Sequence, residues 1–251
     1  MRFGCGWLMG LTVLAATPIA PARAQRGGDW QVRIVYAYQT EDGNALQDIR
    51  QTLGARVSAG DDGAALRYDL AHADYRSAEL VLRAGDRGAD AAAGDCVREL
   101  DALLRRDPRS VEALALRSAC YFLLAGRRRF ESPYLRERAR RDLAAAERIA
   151  PDNPRVLLIG AEQALAQAAP RSAAAEAGLR GLHAAAEGFE RSASTGVGSP
   201  SWGHAEAYLA LGHQLRIRGD RLGARNWIEK ALLAAPDFSA ARRELRLLSR
   251  E

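Results

Sequence analysis

The side chains of this chain that could carry chemistry are few: four histidines, three cysteines and a scatter of carboxylates in helix-forming surroundings. A metal centre would need several of them to converge. His72, His183, His204 and His213 show no such spacing: the nearest pair, His204 and His213, is nine residues apart, and no cysteine pair accompanies it. Hydrolytic or phosphoryl-transfer chemistry would show as G-x-S-x-G, H-E-x-x-H or a glycine-rich loop ending in G-K-[ST]. None of these strings occurs. Glu162 and Glu190 lie in alanine-rich stretches and read as solvated helix carboxylates, not as an acid–base pair. His213 follows Gly212 and reads as a residue on an exposed helix face. The expectation is a protein with no catalytic site, no metal and no cofactor.

The cysteines bear on compartment instead. The chain opens with MRF, continues through the apolar run GCGWLMGLTVLAA, and reaches Ala22-Arg23-Ala24 just before Gln25. A positive start, a short apolar core and a small-x-small site are the parts of a secretory leader. The run is shorter than the roughly 20 residues a membrane-spanning helix needs. We therefore expect residues 1–24 to be cleaved after Ala24, and the mature protein to be periplasmic or secreted, with no transmembrane segment. No cysteine follows the cleavage site directly, so a lipid anchor is not expected there. Export would place Cys96 and Cys120 where disulfides persist. They lie twelve residues on either side of Pro108. If Pro108 marks the turn between two antiparallel helices, both stand roughly 15–18 Å from it, at one level. Two readings stay open: a disulfide, or two small buried thiols that pack well as they are.

Helices must position all of these residues. Apolar residues make up 48% of the chain but aromatics only 6%, because alanine dominates, and alanine favours thin, closely packed helices. The formal charge is +5, falling to +3 once Arg2 and Arg23 leave with the leader. Arginines interleave with acids, as in RERARRD from Arg136 to Asp142, which is the pattern of an ion-paired, solvated face. Nucleic-acid readers need basic clusters with stacking aromatics. No nucleic-acid partner is expected.

The order of the helices is periodic. From Ala205, Tyr208 falls at position 4, Leu211 at 7, Gly212 at 8, Leu215 at 11, Ala224 at 20, Ile228 at 24, Ala231 at 27 and Pro236 at 32, with Gly219 between the two helices. Counting back from Pro151 puts Ala139, Leu143 and Ala146 at 20, 24 and 27; from Pro108 the same places hold Cys96, Leu100 and Leu103. This pattern resembles the tetratricopeptide repeat, a helix–turn–helix unit of about 34 residues. Small side chains at Gly212, Ala224 and Ala231 let backbones approach where helices cross, and Pro236 ends the second helix. The match is weaker upstream. The stretch RRRFESP reads as a longer turn, and the pair formed by residues 154–168 and 171–193 lacks a closing proline.

The resemblance implies an all-α, right-handed α-solenoid of such pairs, with N-terminal helices and a C-terminal capping helix. Residues 25–60 form the N-terminal helical segment, within which DWQVRIVYAYQ fits either a helix face or a strand, and helix is favoured. Residues 61–251 form the repeat domain, with a linker near 193–203 and the cap at 239–250. The resemblance further implies that positions 2, 5, 9, 12 and 13 of each unit face a concave groove that binds a protein or peptide partner. In the last unit these are Glu206, Leu209, His213, Arg216 and Ile217. Glu162, with Arg155, Leu158, Leu165 and Ala166, comes from the preceding one, and Phe122, with Glu112, Ala115, Ala119 and Leu123, from the unit before that, a largely apolar set that burial under the N-terminal helices would explain equally well. The function so implied is a non-catalytic exported scaffold. The alternative is a structural accessory subunit of a cell-envelope assembly, with an enzyme third.

Overall fold

Helices account for all the regular structure among the residues described by the computed structural model, which are Met1, 27–85, 88–192 and 200–250. The expected leader with its cleavage site, and residues 193–199 of the expected linker, lie outside them. In chain order the helices are α1 (Gly27–Thr40), α2 (Gly43–Ser58), α3 (Ala64–Arg83), α4 (Ala89–Leu104), α5 (Val111–Arg127) and α6 (Ser132–Ile149). They continue with α7 (Pro154–Gln167), α8 (Ala173–Ser192), α9 (His204–Ile217), α10 (Arg221–Ala234) and α11 (Ser239–Leu248). The tightest neighbours are α3 with α4, α5 with α6, α7 with α8 and α9 with α10. These are stacked helical hairpins.

Local chemistry sets the ends. Asp42, Asn153 and Asp220 each accept hydrogen bonds from backbone N–H groups of the first turn of α2, α7 and α10, satisfying donors that a helix start leaves unpaired. Gly219 turns the chain between α9 and α10 at φ +88°, a conformation that side chains disfavour. Pro151 and Pro236 each follow the residue that caps a helix end. The ambiguous N-terminal stretch is helical because of its burial period: Ile34, Ala37 and Tyr38 are buried, while Val32 and Tyr36, which a strand would put beside Ile34, are exposed. The turn after α5 is shorter than RRRFESP suggested. Helix α6 already begins at Ser132 with Pro133 in its first turn, where a proline's missing N–H costs nothing. The extra residues of this unit lengthen its two helices instead.

Close packing falls where the small residues predict it. Ala224, Ile228 and Ala231 are fully buried. A Cβ added to Gly212 would lie 2.5 Å from Ile228 Cγ1 and 3.1 Å from the Ala224 carbonyl oxygen. Gly212→Leu should therefore destabilise the protein by about 1–3 kcal/mol through overpacking. Gly54→Ala, in α2 with open space around its Cβ position, should stabilise it by about 0.5–1 kcal/mol. Urea midpoints of the two variants check the contrast; equal shifts would refute the packing account.

Two links tie the hairpins together. Cys96 of α4 and Cys120 of α5 form a disulfide, both residues buried, with Cα atoms 6.4 Å apart. The second link closes the chain on itself. The N-terminal helix and the turn after it meet the C-terminal part of the chain: Ser201 N–H, just before α9, donates to Gln31 Oε1 at 2.8 Å, Arg243 of α11 reaches Glu41 at 2.5 Å, and the Tyr38 and Phe238 rings lie 6.3 Å apart. Beneath them Arg76 of α3 donates to Glu206 of α9 at 3.1 Å, to Glu79 at 2.8 Å and to His72 Nε2 at 3.1 Å. Its guanidinium stacks 4.1 Å from the Tyr38 ring and 5.0 Å from Trp202. Trp202, at the end of the expected linker, is buried, stacks on His72 and donates Nε1–H to Tyr68 Oη at 3.0 Å.

Candidate binding cavity

Because the two ends of the solenoid meet, its inner face forms the wall of a cavity. The cavity is about 560 Å³ and opens to solvent. Helix α7 supplies Glu162, Leu165 and Ala166; α9 supplies Glu206, Leu209, Ala210, His213 and Gln214. These are first helices of their hairpins, whose inner faces point the same way. The remaining wall comes from Tyr38 of α1, Glu79 and Arg83 of α3, Leu182 of α8, Phe238, and Ala240, Arg243, Glu244 and Leu247 of α11. The interior is mostly apolar, with a few charged groups that converge.

The charges fall into small networks. Glu244 takes His213 Nδ1 on one oxygen and Arg216 Nε on the other, at 2.8 and 2.7 Å. Burial pushes its carboxyl up, but those two hydrogen bonds outweigh burial and hold it below the usual range. Glu41 is also held low, first by its hydrogen bond from Arg243 and then by Arg83. Glu206 is buried and doubly used: one oxygen takes Arg76 and the other takes the Gly203 N–H at the start of α9, at 3.0 Å. Glu162 differs from all of these. Its side chain is exposed at the cavity wall, with protein atoms close around its carboxyl. This enclosure, reinforced by Glu79 and Glu206 and opposed by Arg76 and Arg83, pushes its carboxyl up to about 8.

The sequence-derived groove residues are thus divided. Glu162, Leu209 and His213 line the cavity together, and Glu206 contributes from its buried ion pair. Arg216 is not among the lining residues and pairs with Glu244, linking α9 to α11. Ile217 is exposed and does not line the cavity. Phe122 is separate: it lines a second cleft, about 450 Å³, with Pro133, Arg136 and Gln163 between α5, α6 and α7. The inner positions of α5 are not free either. Ala115 and Ala119 are buried in the cluster that holds Tyr68, Ala71 and Tyr75 of α3, and Glu112 pairs with the buried Arg155. The expected groove residues thus lie partly in this cavity, partly in the second cleft and partly in the core.

Glu79, Arg83, Arg243 and Glu244 were not in the sequence-derived set. Helix α11 reads as a plain cap by its periodicity, and nothing local indicates that α1 and α3 come back to face it. No group of three or more His, Cys, Asp or Glu side chains is arranged to hold a metal among the described residues. None of the described helices is long and apolar enough to cross a membrane.

Stacked helical hairpins around an apolar-walled cavity define a helical-repeat solenoid. No family model matches the chain, and no curated protein matches it either. Among solved structures it is similar to a thermophilic TPR protein from Thermus thermophilus. The TM-score is 0.59 at 16% identity, over 90% of this chain and 100% of that one. The fold is that of a tetratricopeptide-repeat protein, all-α, with N-terminal helices and a capping helix.

Proposed function

We propose that the protein is a non-catalytic, exported scaffold that takes a segment of a protein partner into the concave cavity. The observation that carries this reading is the cavity itself: about 560 Å³, with apolar walls from the inner faces of α7 and α9 and a few convergent polar groups. That combination is characteristic of binding sites, which fall between about 300 and 1,000 Å³. Its size suits a short stretch of a few side chains, not a long peptide laid across every unit. Export is supported by the leader-like first 24 residues and by a buried disulfide, which persists in oxidising compartments. The setting we propose is the periplasm, with an envelope complex as the larger assembly.

Site-directed photo-crosslinking in intact cells tests this. A photo-reactive residue in place of Gln214, on the cavity wall, should give a discrete protein adduct that disappears when Ala166→Trp fills the cavity. The same probe at the exposed Leu222, away from the cavity, should give none. The adduct should sit on a chain that begins at Gln25, read by mass spectrometry. Adducts from Leu222 or from the outer side of α11, with none from Gln214, would replace the groove reading with a structural subunit that binds through its edge.

A further inference from the structure

We propose that the cavity selects its partner through one basic side chain, lysine or arginine, seated against Glu162 with apolar neighbours packed on Leu165, Leu209 and Phe238. This rests on the binding reading above and adds the chemistry of the occupant. The argument is an inventory of charge. Four carboxylates line the cavity, from Glu79, Glu162, Glu206 and Glu244, against the cations Arg83 and Arg243. The cations are already engaged: Arg83 with Glu41 and Tyr38, Arg243 with Glu41. Outside the lining set, Arg76 serves Glu79 and Glu206, and Arg216 serves Glu244 beside His213. Glu162 has no hydrogen bond or ion pair among the described residues, although it lines the same space.

An anionic occupant would meet arginines whose charge is already paired with Glu41 and carboxylates that repel it. A neutral apolar one would leave Glu162 enclosed without a partner. A cation answers both. Its approach favours the ionised carboxylate, and an occupant that displaces water from the cavity makes that pairing stronger than at an open surface. The leucines and Phe238 that line the same cavity accept the aliphatic stem of such a side chain and its apolar flanks. A bare metal ion fits poorly, because no second and third ligand converge on Glu162.

The test is a display library of random nonapeptides panned against the intact protein. Peptides that bind the wild type but not Ala166→Trp are taken as cavity-bound. The expected result is that they share a lysine or arginine with apolar flanks, and that Glu162→Gln weakens them about 10–100-fold. Norleucine in place of the basic residue should weaken them equally, and combining it with Glu162→Gln should add little further. Cavity-bound peptides that lack a basic residue, or that ignore Glu162→Gln, would overturn this inference and leave the groove reading standing. Failure to recover any peptide sensitive to Ala166→Trp would overturn both. The norleucine arm alters only the peptide, so it reads the pairing independently of any effect of a variant on folding.

Discussion

Arg76→Leu is expected to lower the stability of the protein by about 3–5 kcal/mol, more than the packing variants at Gly212 and Gly54. Arg76 is buried, and its three directions of donation are all used inside the protein: Glu206 on α9, Glu79 and His72 on its own helix. Removing the cation leaves Glu206 buried without its ion pair and Glu79 without its partner, and deletes the stack over Tyr38. Leaving a charge enclosed and uncompensated costs far more than such a pair contributes beyond a well-packed apolar substitute. The effect should therefore be concentrated at the joint between α3 and α9, where the solenoid closes. Urea denaturation should show an early loss of Trp202 fluorescence, since that ring stacks on His72 beside Arg76. Adding Glu206→Leu to Arg76→Leu should recover part of the loss. An unchanged midpoint for Arg76→Leu would show that the closure is not held by this network.

Removing the disulfide should cost about 3 kcal/mol, the value that chain-entropy arguments give for closing a loop of this length. Cys96 and Cys120 are 24 residues apart and fully buried. Alanine at both positions preserves the small size needed where α4 meets α5, so the double variant isolates the cross-link more cleanly than a bulkier change. For a chain of this size a loss of that magnitude lowers the melting temperature by roughly 6–12 °C. Reductant should produce the same shift in the wild type and none in the variant. Equal melting of the two proteins in non-reducing buffer would mean that the bridge does not form or does not constrain the unfolded chain.

The hairpin pairs, their register and the fold class were legible in the sequence because they depend on contacts close in the chain. Gly212, Ala224 and Ile228 meet across one turn, and Gly219 and Pro236 act through their own backbone restrictions. Such signals survive translation into a one-dimensional pattern. The level of Cys96 and Cys120 about Pro108 was a count of residues along two helices. Whether their side chains face each other depends on helix rotation, which only packing decides.

The shape of the candidate site was decided by contacts of long sequence separation. Tyr38, Glu79 and Arg83 reach the wall opposite Glu244 only because α1 and α3 return to pack on α9 and α11, through Arg76 with Glu206 and Arg243 with Glu41. No periodicity within a unit encodes how far a stack of units curls, because small rotations between successive hairpins add along the chain. That accumulated curl divides the expected groove residues, buries the inner face of α5 and sends Phe122 to a different cleft. It also brings Glu79, Glu206 and Arg83 from other helices near Glu162, so the electrostatics of a carboxylate exposed at the cavity are set by residues distant from it in the chain.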